Sequence, residues 1–331
     1  MMGNKITLSR CIVGILSTLL LLATLVSSFQ QQTVANNGWL YQSKRLYRRW
    51  LVQLFYKQID PSIIATNRQY LRDALGFSEE KLDKIEDPSY VCNILTLDIG
   101  ILDERANWLK IRLSSTDNEI KKMIQSQPTI LSRTSESDTG IAPKIDYLQN
   151  RLLLDNISMK KLIQRLPCIL GMSISENMEP KLDWLQQRLS LTDDELSKMI
   201  QRLPALFAYN KHTNMEPKLD WLQQRLSLTD EQLSEMIQRY PALLTLNVEG
   251  NLEPTLCFYI DALGKADALA LVTGDPSAFG RSLEKRLKPR LERALDVGMI
   301  IDSKLLSLII KYTDDQWNRK VTKRMGKTAY Q

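Results

Sequence analysis

The chain has 331 residues, 44% of them hydrophobic, which excludes wholesale disorder and leaves room for one elongated array or two ordinary domains. Lys and Arg number 44 against 38 Asp and Glu, but residues 1–59 hold 7 of those cations and no acid, so residues 60–331 carry 37 against 38. The basic balance therefore belongs to the N-terminus and is no argument about the body, while four scattered cysteines without CxxC pairing (Cys11, Cys92, Cys168, Cys257) suggest neither a disulfide framework nor a zinc site.

At the N-terminus, Lys5 and Arg10 precede an apolar stretch from Cys11 to Val26, closed by Ser27, Ser28 and Phe29. A basic start, an apolar core and small residues after it form the layout of a signal peptide, here spanning 1–28. The stretch is short for a spanning helix, which needs about 20 apolar residues, and a retained membrane anchor is the alternative. Residues 29–59 are acid-free and include the cluster KRLYRR at 44–49, as in an organellar transit peptide, although a solvated basic segment reads the same. In series the two resemble the bipartite plastid address of algae with secondary plastids, in which a Phe follows the cleavage point as Phe29 would. The expected location is organellar, plastid ahead of mitochondrion. Cys11 leaves with such an address, and the other three cysteines read as small core residues.

From residue 60 to about 320 the sequence repeats. Residues 180–204 return at 217–241 with four differences, 37 residues on, and a looser copy begins at Pro143, 37 residues upstream. Such a period marks a stacked array whose units bury their apolar faces against one another. In the unit at Pro180, a proline at the first helical position opens a helix with Leu182, Leu185 and Leu189 on one stripe. Thr192-Asp193-Asp194-Glu195 is a capping box for a second helix with Leu196, Met199, Ile200 and Leu203 on its apolar side. Pro204 stops that helix, and a short apolar piece with a polar link leads to the next unit. The box recurs as Thr229 to Gln232 and Thr116 to Glu119. The terminating prolines are Pro128, Pro167, Pro204, Pro241 and Pro276, with gaps of 39, 37, 37 and 35 residues. Leu71 to Pro88 and Pro289 to Tyr312 follow the same grammar, giving about seven units between Ile64 and Asn318, with residues 321–331 as a basic tail.

The first helices carry a polar–aromatic pattern: Arg105–Trp108–Arg112, Lys144–Tyr147–Arg151, Lys181–Trp184–Arg188 and Lys218–Trp221–Arg225. Spacing i, i+3, i+7 puts each trio along one side of its helix. Four stacked trios would make a ladder of cations beside rings, a set of groups suited to phosphates and stacked bases. The alternative is that the rings pack between repeats with cation stems lying over them. Asp183 and Asp220 are expected to point elsewhere. A second series, Arg165, Arg202 and Arg239, flanks the second helices just before each proline. The lone His212 reads as a surface link residue. GKAD at 264–267 lacks the upstream glycine of a phosphate-binding loop, and no catalytic or metal-ligating constellation is apparent.

The phrase PKLDWLQQRLSLTDDELSKMIQRLPALF, with its proline-started helix, capped acidic second helix and closing I-x-x-x-P, resembles the mitochondrial transcription termination factor (mTERF) repeat family, closely over 143–253 and fairly over about 64–320. The resemblance implies an all-α solenoid, two helices and a short 3₁₀ turn per unit, wound into a superhelix. It also implies a non-enzymatic protein without cofactors or small-molecule substrate, which binds double-stranded DNA or RNA and acts in organellar transcription, termination or RNA maturation. Organellar transcription or RNA-processing proteins are its implied further partners. The expected nucleic-acid-binding residues are Arg105, Arg112, Lys144, Arg151, Lys181, Trp184, Arg188, Lys218, Trp221, Arg225, Arg165, Arg202 and Arg239. A helical scaffold that binds a protein through the same groove is the competing reading. A membrane contact would involve only an uncleaved N-terminal segment.

Overall fold

The computed structural model describes residues 60–86, 94–135 and 140–328. The expected address segments at 1–28 and 29–59 lie outside the described residues, as does Cys92. Every regular element among the described residues is helical, so the fold is all-α.

The contacts divide the chain into two units. The first contains helices α1 (Pro61–Asp73) and α2 (Glu79–Glu86) and a 3₁₀ turn at Ile94–Thr96. The second is a solenoid of six helix pairs and a closing helix. Its pairs are α3 (Ile99–Arg112) with α4 (Asp117–Ser126), α5 (Ala142–Arg151) with α6 (Asn156–Arg165), and α7 (Glu179–Arg188) with α8 (Asp193–Arg202). They continue as α9 (Glu216–Leu226) with α10 (Asp230–Arg239), α11 (Glu253–Leu263) with α12 (Lys265–Gly274), and α13 (Lys288–Asp296) with α14 (Ser303–Lys311). Helix α15 (Asp314–Thr328) follows. It contains the 320/321 boundary, so residues 321–328 of the expected basic tail continue this helix.

Local chemistry sets each unit. The three predicted capping boxes form: Thr116, Thr192 and Thr229 each accept from the third backbone N–H of their helix, and Glu119, Glu195 and Gln232 reach back. Pro128, Pro167, Pro204, Pro241 and Pro276 each end a second helix and open a five-residue 3₁₀ turn. The third and fourth residues of these turns, such as Leu206–Phe207 and Leu243–Leu244, are at most 2% exposed. Each Leu, Ile or Phe among them contributes about 1.5–3 kcal/mol through burial.

The structure departs from expectation at the links and at the cysteines. The polar link before the prolines is a π-helical turn, seen at Ile174–Met178, Lys211–Met215, Val248–Leu252 and Leu283–Leu287. It runs straight into the first helix, so Pro180 and its counterparts sit inside the first turn. The signal was in the sequence: Ser173, Asn210, Asn247 and Ser282 cap these turns by accepting a backbone N–H three residues on. Cys168 and Cys257 are half-buried free thiols, less enclosed than core residues.

The corner between paired helices places Ser114, Leu153, Ser190 and Ser227 in the left-handed region. Between α11 and α12 this corner shrinks to Gly264, at φ 80°, and no side chain caps α12. The shortened unit leaves a cleft of about 490 Å³ beside α10, lined by Leu226, Leu228, Met236 and Leu269 among others.

Candidate functional site

The first cation of each predicted trio is consumed inside its own repeat. Lys144 donates to the Leu170 carbonyl at 2.9 Å, Lys181 to that of Phe207, and Lys218 to that of Leu244 at 2.8 Å. Arg105 does the same to Leu131 at 2.7 Å. Each acceptor is the fourth residue of the 3₁₀ turn, a carbonyl that burial would otherwise leave costly. The three lysines are at most 9% exposed, and desolvation pushes each ammonium below its usual range, assisted at Lys144 by nearby Arg133. Buried in this way, Lys144, Lys181 and Lys218 do not face a phosphate, contrary to expectation.

The last cation of each trio bridges to the following repeat. Arg112 pairs with Asp146 at 2.6 Å, Arg151 with Asp183 at 3.1 Å, Arg188 with Asp220 at 3.1 Å, and Arg225 with Glu253 at 2.8 Å. Gln149, Gln186 and Gln223 accept from the first three guanidiniums as well. Asp183 and Asp220 thus do not point elsewhere; they receive the neighbouring cation. The Arg225 pair holds the Glu253 carboxyl below its usual range. Trp184 is packed, 8% exposed, with Lys211 5.3 Å from its ring centre, while Trp108, Tyr147 and Trp221 are half-buried. The first cations of the ladder are therefore spent within repeats and the last ones between them.

Arg165, Arg202 and Arg239 are differently placed. All three are exposed, each on the last turn of a second helix. Arg165 donates to the carbonyls of Gln201 and Arg202, Arg202 to Gln238, and Arg239 to Thr273 and Gly274. Each thus caps the C-terminus of the next second helix, where the macrodipole favours a cation. A guanidinium has five N–H donors, and these bonds use only one edge. Lys161 and Lys198 are exposed one turn earlier on α6 and α8.

Residues that the sequence reading passed over complete the pattern. Asn67 donates to Leu95 in the first unit, and Tyr259 to Ala278 where Thr255 replaces the lysine. Arg290, 4% exposed, serves the last pair by donating to Ile309, Tyr312 and the Asp314 carboxylate. Its place directly after Pro289, matching Lys181 after Pro180, was the available signal. Among the described residues no group of His, Cys, Asp and Glu is arranged to hold a metal, and no helix is long and apolar enough to cross a membrane.

The mTERF family model matches the chain over residues 43–225 and again over 112–318, beginning inside the segment read as transit-like. No curated protein matches it.

Proposed function

The chain belongs to the mTERF family of helical-repeat, nucleic-acid-binding proteins, and we propose that it regulates organellar transcription or RNA maturation by occupying nucleic acid, without catalysis. The observation that carries this reading is the row Arg165, Arg202, Arg239: exposed guanidiniums recurring every 37 residues on successive second helices. A stacked array repeats them in space, and phosphates repeat along a strand. Such contacts position the protein and leave sequence choice to other side chains. The organellar location rests on the N-terminal pattern, with the plastid ahead of the mitochondrion.

Binding of the full chain to duplex DNA, single-stranded DNA and RNA across a salt series tests this. Affinity should fall log-linearly with salt, and Arg165→Gln/Arg202→Gln/Arg239→Gln should flatten the duplex slope by about 3. Gln keeps a donor for the helix cap while removing the charge. Absence of binding to all three polymers at low salt would leave the protein-scaffold reading in its place. That alternative draws on the acid excess of residues 60–280, 32 acids against 24 cations.

A further inference from the structure

Charge along the folded chain is segregated. Residues 281–331 hold 13 Lys and Arg against 6 Asp and Glu, the reverse of residues 60–280 with 24 against 32. A near-neutral total hides this. Within the basic end, α15 concentrates the excess: no acid follows Asp315, and Arg319, Lys320, Lys323 and Arg324 are all exposed. Their spacing, i, i+1, i+4, i+5, gathers them on one side of the helix, next to the buried strip of Trp317 and Val321. Among the described residues none of Arg319, Lys320 and Lys323 forms an ion pair; Arg319 reaches only the Asp315 carbonyl and Arg324 bonds the Gly298 carbonyl. The contrast with the interior is sharp, because the trio arginines there are matched by carboxylates of the next repeat.

The helix is also held in place. Trp317 is 1% exposed and lies against the Arg290 guanidinium, 5.7 Å from its ring centre. Arg290 in turn fixes the start of α15 through Asp314. Asp314 and Asp315 occupy the first turn, where the helix dipole favours acids, and the cations occupy the turns beyond. A rigid, acid-free basic face loses little conformational freedom when it meets a polyanion.

We propose that α15 is a second phosphate-contacting element of this chain, in addition to the row Arg165, Arg202 and Arg239, through Arg319, Lys320, Lys323 and Arg324. The assignment rests on the nucleic-acid reading above. Charge complementarity selects the occupant: four exposed cations on one helix, of which Arg319, Lys320 and Lys323 form no ion pair among the described residues, fit the dense charge of a sugar–phosphate backbone.

The test compares the full chain with Arg319→Gln/Lys320→Gln/Lys323→Gln/Arg324→Gln by fluorescence anisotropy on mixed-sequence duplex DNA and single-stranded RNA. Gln is a comparable helix former, so helicity should be retained by circular dichroism. The cations of residues 1–59 are common to both proteins, so the difference isolates α15. The four substitutions should reduce the salt slope on duplex by about 3 to 4 and the low-salt affinity about tenfold or more. Lys320→Gln/Lys323→Gln, which breaks no bond within the protein, should give about half that slope change. An unchanged slope in both variants, with the wild-type chain binding, overturns the assignment and leaves the nucleic-acid reading standing. Absence of wild-type binding removes both. Wild-type self-association at low salt through these four residues, or attachment to anionic vesicles, without affinity for nucleic acid, also overturns it.

Discussion

At the scale of the residue, the same amino acid does different work depending on what burial demands of it. Lys181 is enclosed and satisfies a 3₁₀ carbonyl, whereas Lys320 sits in water with its charge unmatched. Glu119 shows how much a single carboxylate can join. It closes the capping box of α4 through the Thr116 N–H, and receives Lys160 at 2.7 Å and Gln164 at 2.9 Å from α6 of the next repeat. Lys160 is the main reason that its carboxyl is pushed down to about 2, with the Thr116 N–H second. A carboxyl held low in the fold contributes stability that is whole above its ordinary value of 4.5 and is lost as pH falls toward about 2. Glu119→Gln keeps the box, as Gln232 already does in α10, but removes the charge. The variant should therefore lose less Tm than the wild type between those two pH values. Equal losses in thermal melts would show that the bridge from Glu119 to Lys160 carries no pH-linked stability.

At the scale of the element, the repeat was legible because each helix has a local start and stop. Thr192 and Glu195 announce α8 and Pro204 ends it, and none of this depends on distant contacts. The first helices were read only in part, because which of Lys181, Trp184 and Arg188 meets solvent depends on neighbours 26 to 32 residues away. A 3.6-residue period gives a side chain's bearing on its helix, not what the next helix has put opposite. The expectation that Asp220 points away from Arg188 failed for this reason: the two residues belong to different repeats, and only the stacking brings them together. The corners offer a sharper test of local logic. Of the four non-glycine left-handed positions among the described residues three are Ser, but the fourth is Leu153, at φ 51° and 72% exposed. A left-handed leucine costs about 1–2 kcal/mol, and Asn tolerates that region better. With so little apolar area buried there, Leu153→Asn should raise stability by about 0.5–1 kcal/mol. A urea midpoint unchanged or lowered would mean that this side chain packs more tightly than its exposure indicates.

At the scale of the whole molecule, a stacked array has no single core, and its stability is a sum of units and nearest-neighbour interfaces. Interior pairs are stitched on both sides: Arg188 reaches forward to Asp220, and the Ser234 hydroxyl reaches back to the Leu189 carbonyl at 2.6 Å. Among the described residues the pair α13–α14 is followed by α15 rather than by another pair, and α15 packs on it through Trp317 and Asp314. Leu306, Ile309 and Ile310 of α14 are fully buried, and Trp317 and Val321 of α15 are at most 2% exposed. Removing a buried Trp side chain typically costs about 3–5 kcal/mol, a large share of what one terminal unit can contribute. In an array this loss stays local. Trp317→Ala should therefore raise amide exchange through α13, α14 and α15 while leaving protection in α7 to α10 near its original level. Uniform loss of protection across the second unit would instead show cooperative unfolding as one body, contrary to nearest-neighbour additivity. The outcome also bears on binding, since the basic face of α15 has a fixed position only while Trp317 holds the helix against Arg290. If so, Trp317→Ala should weaken nucleic-acid affinity without removing any charge.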